Sequence, residues 1–396
     1  MTAKPPLAGL TVLDFGQIYQ GPYATMLMAK AGANVIKIEP LIGEPLRRRA
    51  PDGQSLPVAM LNANKRAITL NLKSEKGRAL LIRMAKQADV LLENFAPGVM
   101  DRLGVGWDVL HEANPKLIYA TGTGYGITGP DRDNQAMDLT IQAVSGIMSV
   151  TGMPDGPPMK AGPTLVDFMG GIHLYAGIMT ALFERTATGT GRLVEVAMQE
   201  TVYCSMASSM ESYYRTGRVP PRTGNHQAAL TSAPYNVYEA EDGFVAINVV
   251  TEEHWQNLLG AMGREDLRGD ARYETMQDRA AHMAEIDAIV TAWTRTLGKM
   301  EIFAAASRAR IPAAPVRNVA DIMSDPHMHG RGMLEHVDHP QLGRVVLPNS
   351  PLRLHGAAKV TPTPSPKVGA DNLSIYGDWL GLSADEIAAM KADGVI

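Results

Sequence analysis

Cysteine and aromatic residues are scarce in this sequence of 396 residues. It contains a single cysteine, Cys204, and aromatic side chains make up 6% of the chain. One cysteine cannot form an intrachain disulfide, which excludes a disulfide-rich secreted scaffold and favours a reducing compartment. Neither sign of charge dominates, since the formal net charge is −4 and the pI is near 6.2, and this excludes the basic footprint of a nucleic-acid-binding protein. We therefore expect a cytoplasmic globular protein with no nucleic-acid partner.

Targeting, membrane and metal signals are missing as well. The first segment, MTAKPPLAGLTVLDFG, lacks the basic region and the apolar stretch of a signal peptide. We find no apolar run of membrane-spanning length, so we expect no membrane partner. Four histidines lie close together in the sequence, but their spacing fits no common zinc motif and no cysteine is near; they are His327, His329, His336 and His339. We expect a structural or surface role for them and no metal site.

Strands and helices alternate over the first 130 residues. The strands GLTVLDFG and NVIKIEP flank a helix in GPYATMLMAKAGA, with Pro22 in its first turn and Gly32 after its end. The strands RAITLNL and DVLLENF flank a helix that begins at Ser74, and KLIYATG adds another strand. Such alternation predicts an open α/β sheet with parallel strands and right-handed crossovers. A nucleotide-like ligand is expected at the carboxyl edge of that sheet.

The rest of the chain points to a second domain. A length of 396 residues exceeds the usual size of a single hydrophobic core. The helical pattern around residues 167–185 is followed by a strand, GRLVEVAM, and by the long predicted helix QETVYCSMASSMESYYRTG. Residues 226–325 begin with a hairpin around residues 241–243 and continue with amphipathic helices. The C-terminal segment begins a helix with a capping box formed by Ser383 and Glu386.

Two motifs have both a structural and a functional interpretation. The segment GTGYGITG has the G-x-G-x-x-G spacing of a dinucleotide site, but PDRDNQAMD follows it and favours turns over the required helix. A turn-rich active-site loop is the better interpretation. The basic segment PLRRRAP contains Arg47, Arg48 and Arg49. It is either a solvated surface or a phosphate contact at the sheet edge.

Asp167 is the only charged residue between Lys160 and Glu184. Burial of a charge is unfavourable unless the charge is paired or hydrogen-bonded. The residue precedes a helical run, and aspartate is a favoured helix N-cap, so the pattern alone favours a capping role. A carboxylate at a helix N-terminus is also expected to stay ionised, because the free amides and the helix dipole stabilise the anion. An ionised carboxylate in a shielded pocket is what a nucleophile requires.

An ordered set of segments resembles the family III coenzyme A transferases, the group that contains formyl-CoA transferase and carnitine CoA-transferase. The segments are LDFGQIYQGPYATMLMAKAGANVIKIEP, NANKRAITLNLKSEKGR, ADVLLENFAPGVMDRLGVGW, NPKLIYATGTGYGITGP and AGPTLVDFMGGIHLYAGIMTALFERTATGTGRLVEVAM. The later pieces DGFVAINV and DPHMHGRGM also fit, so the resemblance covers nearly the whole chain.

The resemblance implies an α/β protein with two domains. Residues 1–200 are expected to form the N-terminal part of a Rossmann-like large domain. Residues 326–396 are expected to form a return linker and the C-terminal part of the same domain. A linker helix and loop would occupy residues 201–225, and a smaller α+β domain residues 226–325. Two chains would interlock as a homodimer. No permanently bound cofactor is implied, because coenzyme A and acyl-CoA are substrates, together with a small carboxylic acid.

The resemblance also implies the chemistry and the site. Asp167 matches the catalytic aspartate, which attacks an acyl-CoA thioester to give a mixed anhydride and then an aspartyl-CoA thioester. Tyr19, Met137 and Asp138 would line the substrate pocket. The residues that match the CoA-binding positions are Ile18, Leu72, Lys73, Asn94, Phe95 and Arg102.

This chain departs from formyl-CoA transferase at several of those positions. That enzyme has a glutamine where Tyr19 stands, a tyrosine where Met137 stands and an arginine where Pro40 stands. Arg47, Arg48 and Arg49 are candidates to replace the missing arginine. The glycine-rich lid of the formyl enzyme matches residues 223–233, which contain only Gly224. A different choice of acids is therefore expected, with slow hydrolysis of acyl-CoA.

Two alternatives remain at this point. An α-methylacyl-CoA racemase shares the fold but has a histidine where Met137 stands, and racemisation needs a base on each side of the α-carbon. A non-catalytic acyl-CoA-binding protein would not need Asp167. The sequence favours an acyl-CoA:carboxylate CoA-transferase over both and leaves the acids unidentified.

Overall fold

The computed structural model describes residues 4–50 and 55–396. Eleven strands lie within these residues. In chain order they are β1 Thr11–Asp14, β2 Asn34–Glu39, β3 Arg66–Thr69, β4 Val90–Glu93, β5 Ile118–Thr123, β6 Leu193–Ala197, β7 Tyr235–Ala240, β8 Gly243–Asn248, β9 Ala313–Pro315, β10 Leu334–His339 and β11 Gly343–Pro348.

The same residues contain sixteen α-helices. They are α1 Gln20–Lys30, α2 Leu56–Leu61, α3 Glu75–Ala85, α4 Val99–Arg102, α5 Trp107–Ala113, α6 Asp138–Val144, α7 Ile147–Val150, α8 Leu165–Thr188, α9 Ala207–Thr216, α10 Glu252–Met262, α11 Met276–Ala281, α12 Met283–Thr294, α13 Lys299–Arg308, α14 Val319–Met323, α15 Pro326–Gly330 and α16 Ala384–Ala392. Short 3₁₀ helices cover Arg47–Arg49, Glu200–Met206 and Glu265–Leu267, and a π-helix covers Ser374–Trp379.

Six parallel strands form the main sheet, in the order β3-β2-β1-β4-β5-β6. The prediction of an α/β fold with a parallel sheet is confirmed. Successive residues of each strand point to opposite faces; Val12 packs with helices α1 and α8, and Leu13 packs with α3 and α16. Because β1 and β4 are neighbours while the chain winds outward from each, a crevice for a ligand is expected at their carboxyl ends.

The chain divides into two compact units. The first contains residues up to 145, 163–203 and 325–396, and its core covers both faces of the main sheet. The second contains residues 146–162 and 204–324. Its antiparallel sheet β7-β8-β9 packs against α10, α12 and α13. The domain bounds predicted from the sequence stay a prediction, and this division adds residues 146–162 and 204–225 to the second unit.

Several local predictions hold and one is wrong. The hairpin β7–β8 is confirmed, and Ser383 and Glu386 form the predicted capping box of α16. The long helix predicted over QETVYCSMASSMESYYRTG is instead the 3₁₀ helix at Glu200–Met206 followed by α9. β-Branched Thr201 and Val202 have low helix propensity, and the Thr201 side chain donates back to the Met198 carbonyl.

Helix α8 corrects another expectation. Its 24 residues are long and apolar enough to cross a membrane by length and composition alone, although no such run was expected from the sequence. A core helix of a globular protein passes the same test. One stripe of α8, with Gly170, Leu174 and Ile178, is buried against α1 and the sheet, whereas Ile172 and Phe183 are exposed.

Candidate functional site

The carboxyl edge of the main sheet gathers the residues that the sequence singled out. Six of them closely follow the ends of β3, β1 and β4, and two lie at the start of α6. β3 and β5 are four strand positions apart, which corresponds to about 19 Å along the edge. The close approach of Ala136 to Gly124 brings the segment before α6 back to the end of β5. In strand order the residues at this edge are Leu72 and Lys73 after β3, Ile18 and Tyr19 after β1, Asn94 and Phe95 after β4, and Met137 and Asp138 at the start of α6.

The loop after β1 is held by side chains from other parts of the chain. The backbone amide of Gln17 donates to Asn94 Oδ1 at 2.6 Å, and Asn94 Nδ2 donates back to the Gln17 carbonyl at 3.0 Å. The amide of Ile18 donates to Glu44 Oε2 at 2.9 Å. Ile18 has a φ of 63°, which is strained for a β-branched residue. These contacts fix a loop shape that the local sequence does not favour.

A group of buried charged side chains contacts the loop after β1. Lys37 donates to the Gly16 carbonyl and lies 3.4 Å from Glu44 Oε1. Arg47 Nε lies 2.8 Å from Glu39 Oε1, with both side chains buried. Arg47 is therefore engaged in an internal ion pair, and only Arg48 and Arg49 of the basic segment are exposed.

Asp167 does not cap its helix. It is the third residue of α8, and the N-cap position belongs to Thr164, which makes no side-chain capping bond. The first amides of the helix are used by a different carboxylate, because Val166 N and Asp167 N donate to Asp138 Oδ1 at 2.8 and 3.2 Å. Gln142 donates to the other oxygen of Asp138 at 2.6 Å. The capping interpretation of Asp167 is thus wrong, and the buried Asp138 caps α8 from another helix.

The Asp167 carboxyl is not held in its ionised form by the helix start, contrary to the expectation from the sequence. Burial, and to a smaller extent the nearby Asp138, raise its pKa, Arg49 lowers it, and the net result is a pKa of about 7. In the described part of the chain, no hydrogen-bond donor contacts the Asp167 carboxylate. An ionised carboxylate without donors keeps its lone pairs available, so Asp167 can serve as a nucleophile.

The surroundings of Asp167 are small and aromatic. Gly170 and Gly171, which share its helix face, allow α8 to approach the first turn of α1 closely. A Cβ atom on Gly171 would lie 2.7 Å from the Gln20 carbonyl oxygen. The Phe168 ring lies 5.8 Å from the ring of Tyr19 and 4.8 Å from that of Tyr23. This packing makes one side of the site apolar.

The remaining predicted residues at the edge are more exposed. Lys73 and Arg102 are exposed, while Leu72 and Phe95 are half-buried beside the core. The Phe95 amide donates to Glu93 Oε2 at 2.7 Å, and burial raises the pKa of Glu93 to about 7. Two accessible cations beside apolar side chains suit a ligand with both phosphates and a ring.

Gln20 and Glu44 are buried residues of the site that the sequence reasoning missed. Gln20 is the first residue of α1, and its Nε2 atom has no hydrogen-bond partner in the described part of the chain. A polar residue directly before Gly21 and Pro22 is the only sequence signal for it. Glu44 lies in an irregular segment, and nothing in the local pattern marks it.

The predicted lid segment, residues 223–233, lies in the second unit. His226 anchors it, since Nε2 contacts Asp287 Oδ2 at 2.6 Å and Nδ1 contacts the Thr223 carbonyl at 3.2 Å. Asn236 and Tyr238 also donate to Asp287, at 3.1 and 2.7 Å. A network of hydrogen bonds therefore holds this glycine-poor segment within its own unit.

The four C-terminal histidines occupy structural and surface positions. The rings of His329 and His336 stack at 5.3 Å, and the buried His339 contacts Ser365 Oγ at 3.1 Å. Within residues 4–50 and 55–396, no group of three or more histidine, cysteine or acidic side chains is arranged to hold a metal ion.

Comparison with known proteins identifies the family. The sequence model of CoA-transferase family III matches residues 7–372. The chain is 35% identical to formyl-CoA:oxalate CoA-transferase of Streptomyces avermitilis, over 98% of this chain and 99% of the relative. It is 34% identical to succinyl-CoA–D-citramalate CoA-transferase of Chloroflexus aurantiacus, over 99% of this chain and 98% of the relative.

A solved structure agrees with this result. A CAIB/BAIF family protein from Brucella suis superimposes with a TM-score of 0.84 at 31% identity, and the match covers 95% of this chain and 99% of the other. The chain belongs to CoA-transferase family III and is an enzyme that transfers coenzyme A.

Proposed function

We propose that this enzyme moves CoA from an acyl-CoA to a free carboxylic acid through covalent adducts of Asp167. The observation that carries the proposal is a half-buried carboxyl without hydrogen-bond donors in the described chain, at the carboxyl edge of the sheet. A carboxylate is of the same chemical class as the acids that are exchanged, so Asp167 can carry the acyl group and CoA in turn as an anhydride and a thioester.

The proposed steps conserve the energy of the thioester. An Asp167 oxygen attacks the thioester carbonyl, the C–S bond breaks, and CoA leaves as a thiolate, which gives a mixed anhydride. The thiolate then attacks Cγ of Asp167, the anhydride C–O bond breaks, and the donor acid leaves. The acceptor carboxylate then attacks Cγ of the aspartyl thioester, the C–S bond breaks, and the CoA thiolate leaves a second mixed anhydride. The thiolate attacks the acceptor's carbonyl carbon in that anhydride, the C–O bond to the Asp167 oxygen breaks, and the new acyl-CoA and the Asp167 carboxylate are released.

Asp138 and Arg49 adjust the nucleophile in opposite directions. Asp138 occupies the free amides of α8 and its charge raises the pKa of Asp167, whereas Arg49 lowers that pKa. A pKa of about 7 leaves a large fraction of ionised carboxylate at neutral pH, and a carboxylate of higher basicity is a stronger nucleophile. Asp138 is therefore a positioning residue in this proposal, and Arg49 a cation beside the reacting groups.

The CoA portion is proposed to lie along the sheet edge from β3 to β4. Lys73 and Arg102 would contact its phosphates, and Phe95 and Leu72 its adenine end. The strained loop at Ile18 and Tyr19 would contact the thioester end. The sheet supports this placement, because the ends of β3, β1 and β4 lie at one edge, and the ring of Phe168, next to Asp167, lies 5.8 Å from the ring of Tyr19 in the loop after β1.

The acid is proposed to be one that carries a second carboxylate. The names of the two relatives described above include oxalate and D-citramalate, both of which have two carboxylates. Arg49 supports this proposal as an exposed cation whose charge acts on Asp167. It would balance a second negative charge close to the reacting carboxyl.

A homodimer is also proposed. The outward face of α8 exposes Phe183 to 80% and Ile172 to 48%, and Tyr214 of α9 is 85% exposed. Large apolar side chains in such positions favour an interface with another chain. Light scattering on the purified protein should give twice the chain mass of 42.6 kDa.

Replacement of Asp167 by Asn tests the mechanism. The variant should fold and should lose CoA transfer, because an amide is a very poor nucleophile toward a thioester. Intact-protein mass spectrometry of the wild type with succinyl-CoA should show a CoA-sized adduct, and hydroxylamine should remove it. Glu184→Gln, at an exposed carboxylate of the same helix, is the matched control and should keep full activity.

Two outcomes would overturn the proposal. The first is a folded Asp167→Asn variant that transfers CoA at the wild-type rate. The second is racemase behaviour, in which a chiral 2-methylacyl-CoA in deuterated water gains α-deuterium and loses its configuration without CoA transfer. Met137 opposes that second outcome, because a thioether cannot remove a proton.

A further inference from the structure

The side chain of Gln20 is buried without satisfying its hydrogen-bonding capacity. The residue is 2% exposed, and its Nε2 atom is shielded from solvent and has no acceptor within the described ranges 4–50 and 55–396. Almost all buried donors in native proteins are paired, because an unpaired one destabilises the fold. A donor that remains unpaired in the free protein is explained if a ligand supplies the acceptor.

The surrounding backbone provides space for this carboxamide. A Cβ atom on Gly122, near the end of β5, would lie 2.9 Å from Gln20 Nε2, and one on Gly170, in α8, would lie 2.8 Å from it. Any side chain at these two positions would collide with the amide. The carboxamide therefore occupies a slot between β5 and α8 that exists only because both residues are glycine.

The slot is one helical turn from Asp167. Gly170 is three residues further along α8, so it lies on the same helix face as Asp167, about 4.5 Å along the axis. Cβ positions with this spacing are about 5–6 Å apart, a distance that a short acyl chain spans. The far end of an acyl group attached to Asp167 would thus lie within one helical turn of the slot that holds the Gln20 carboxamide.

We propose that Gln20 is a specificity-determining residue, which hydrogen-bonds a second oxygen-bearing group on the acid transferred by Asp167. The inference rests on the proposed function and adds the residue that recognises the far end of the acid. A carboxamide donates from its NH₂ group and accepts at its carbonyl, so both a carboxylate and a hydroxyl can pair with it. An acid with an apolar end leaves the donor unpaired, and the site discriminates against it.

An isotope-exchange experiment tests this without knowledge of the natural pair of acids. Each of three CoA thioesters is incubated with its own ¹³C-labelled free acid, and label in the thioester is followed by mass spectrometry. The acids are succinate, 4-hydroxybutyrate and butyrate, which have the same four-carbon chain and differ in the terminal group. The ratio of kcat/KM for succinyl-CoA to that for butyryl-CoA measures recognition of the distal group.

Wild-type enzyme should favour succinyl-CoA over butyryl-CoA. Gln20→Met keeps the volume of the side chain but removes the donor, so it should reduce this ratio by about 10- to 100-fold, as expected for a hydrogen bond to a charged group. The ratio for 4-hydroxybutyryl-CoA to butyryl-CoA should fall by about 2- to 10-fold, as for a neutral hydrogen bond. Gln20→Ala should also reduce both ratios. Gln87→Met, at an exposed glutamine, is the control and should leave both ratios unchanged.

The outcomes separate the inference from the proposed function. If both Gln20 variants exchange label but keep the wild-type ratios, Gln20 has no part in specificity and the CoA-transfer proposal stands. A wild-type preference for butyryl-CoA would overturn the inference and the proposed second carboxylate of the acid, while CoA transfer through Asp167 would stand. If wild-type enzyme exchanges none of the three acids, the proposed function and the inference both fail.

Discussion

Replacement of Asp167 by Asn should stabilise the folded protein while it removes activity. Burial raises the pKa of this carboxyl to about 7, above its ordinary value of 3.8, so the carboxyl binds its proton more tightly in the folded chain than in the unfolded chain. As the pH rises from about 4 to about 7, the unfolded state ionises first and the folded state loses stability. Asparagine has no proton to lose, so its advantage over aspartate should grow across this interval.

The magnitude follows from the shift of the pKa. The difference between 7 and 3.8 corresponds to an upper bound of about 4 kcal/mol at a pH well above 7. Asp167 is only half-buried, so solvent screening reduces this bound, and we expect about 2 kcal/mol. Most of the change should appear between about pH 5 and about pH 8, where we expect the advantage of Asn to increase by about 1–2 kcal/mol.

Urea denaturation of both proteins at these two pH values measures the effect. Asp270→Asn is the control, because the hydrogen bond from Arg272 lowers the pKa of Asp270. That carboxylate is ionised in both the folded and the unfolded states across the whole interval, so its replacement should have an effect that does not change with pH. If the advantage of Asp167→Asn is the same at both pH values, the carboxyl is not destabilised by burial and the reasoning is wrong.

Three further predictions concern pH dependence, CoA affinity and stability. The kcat/KM for CoA exchange should rise with pH through about 7, as Asp167 ionises. Asp138→Asn removes a charge that raises the pKa of Asp167, so the rise should move to lower pH. A pH profile that does not move would contradict the coupling of the two carboxyls. Arg102→Ala should raise the KM for acyl-CoA by about tenfold or more with little change in kcat; steady-state kinetics that show the reverse would contradict its placement on CoA. Asp287→Ala removes the acceptor for three groups, those of His226, Asn236 and Tyr238. It should therefore lower the free energy of unfolding by about 2–4 kcal/mol in urea denaturation, and Asp287→Asn should lower it by less.

The sequence by itself determined the elements and the class of the fold. Strand and helix periods, together with start signals such as Ser74, which accepts from Gly77 N at 2.9 Å, are local properties of the chain. They located β1 to β6 and the helices α1, α3 and α8, but not the short helices α2 and α4 to α7; parallel pairing followed from the alternation. Parallel pairing in turn predicts that equivalent strand ends share one edge of the sheet, and Ile18, Lys73 and Asn94, which the family resemblance singled out, follow β1, β3 and β4 at that edge.

Periodicity was less informative where helices compete with other local structures. Thr201 and Val202 interrupt a pattern that otherwise reads as one helix, so the chain forms a 3₁₀ segment before α9. The apolar character of α8 is spread around the helix, and burial of one face could not be separated from membrane insertion by composition. In the folded chain, Gly170 and Leu174 pack against α1 and the sheet, and this contact identifies the face of α8 that is buried in the core.

Only the tertiary structure decided how the site works. Asp138 is 28 residues before Val166, yet its carboxylate caps α8 and thereby replaces Asp167 in the role that the local pattern favoured. Arg47 pairs with Glu39 inside the protein, while Arg49 from the same basic segment acts on Asp167. The local sequence does not contain these facts, because the pKa of a carboxyl and the pairing of a donor depend on every group that packs around it, and folding brings those groups from distant parts of the chain.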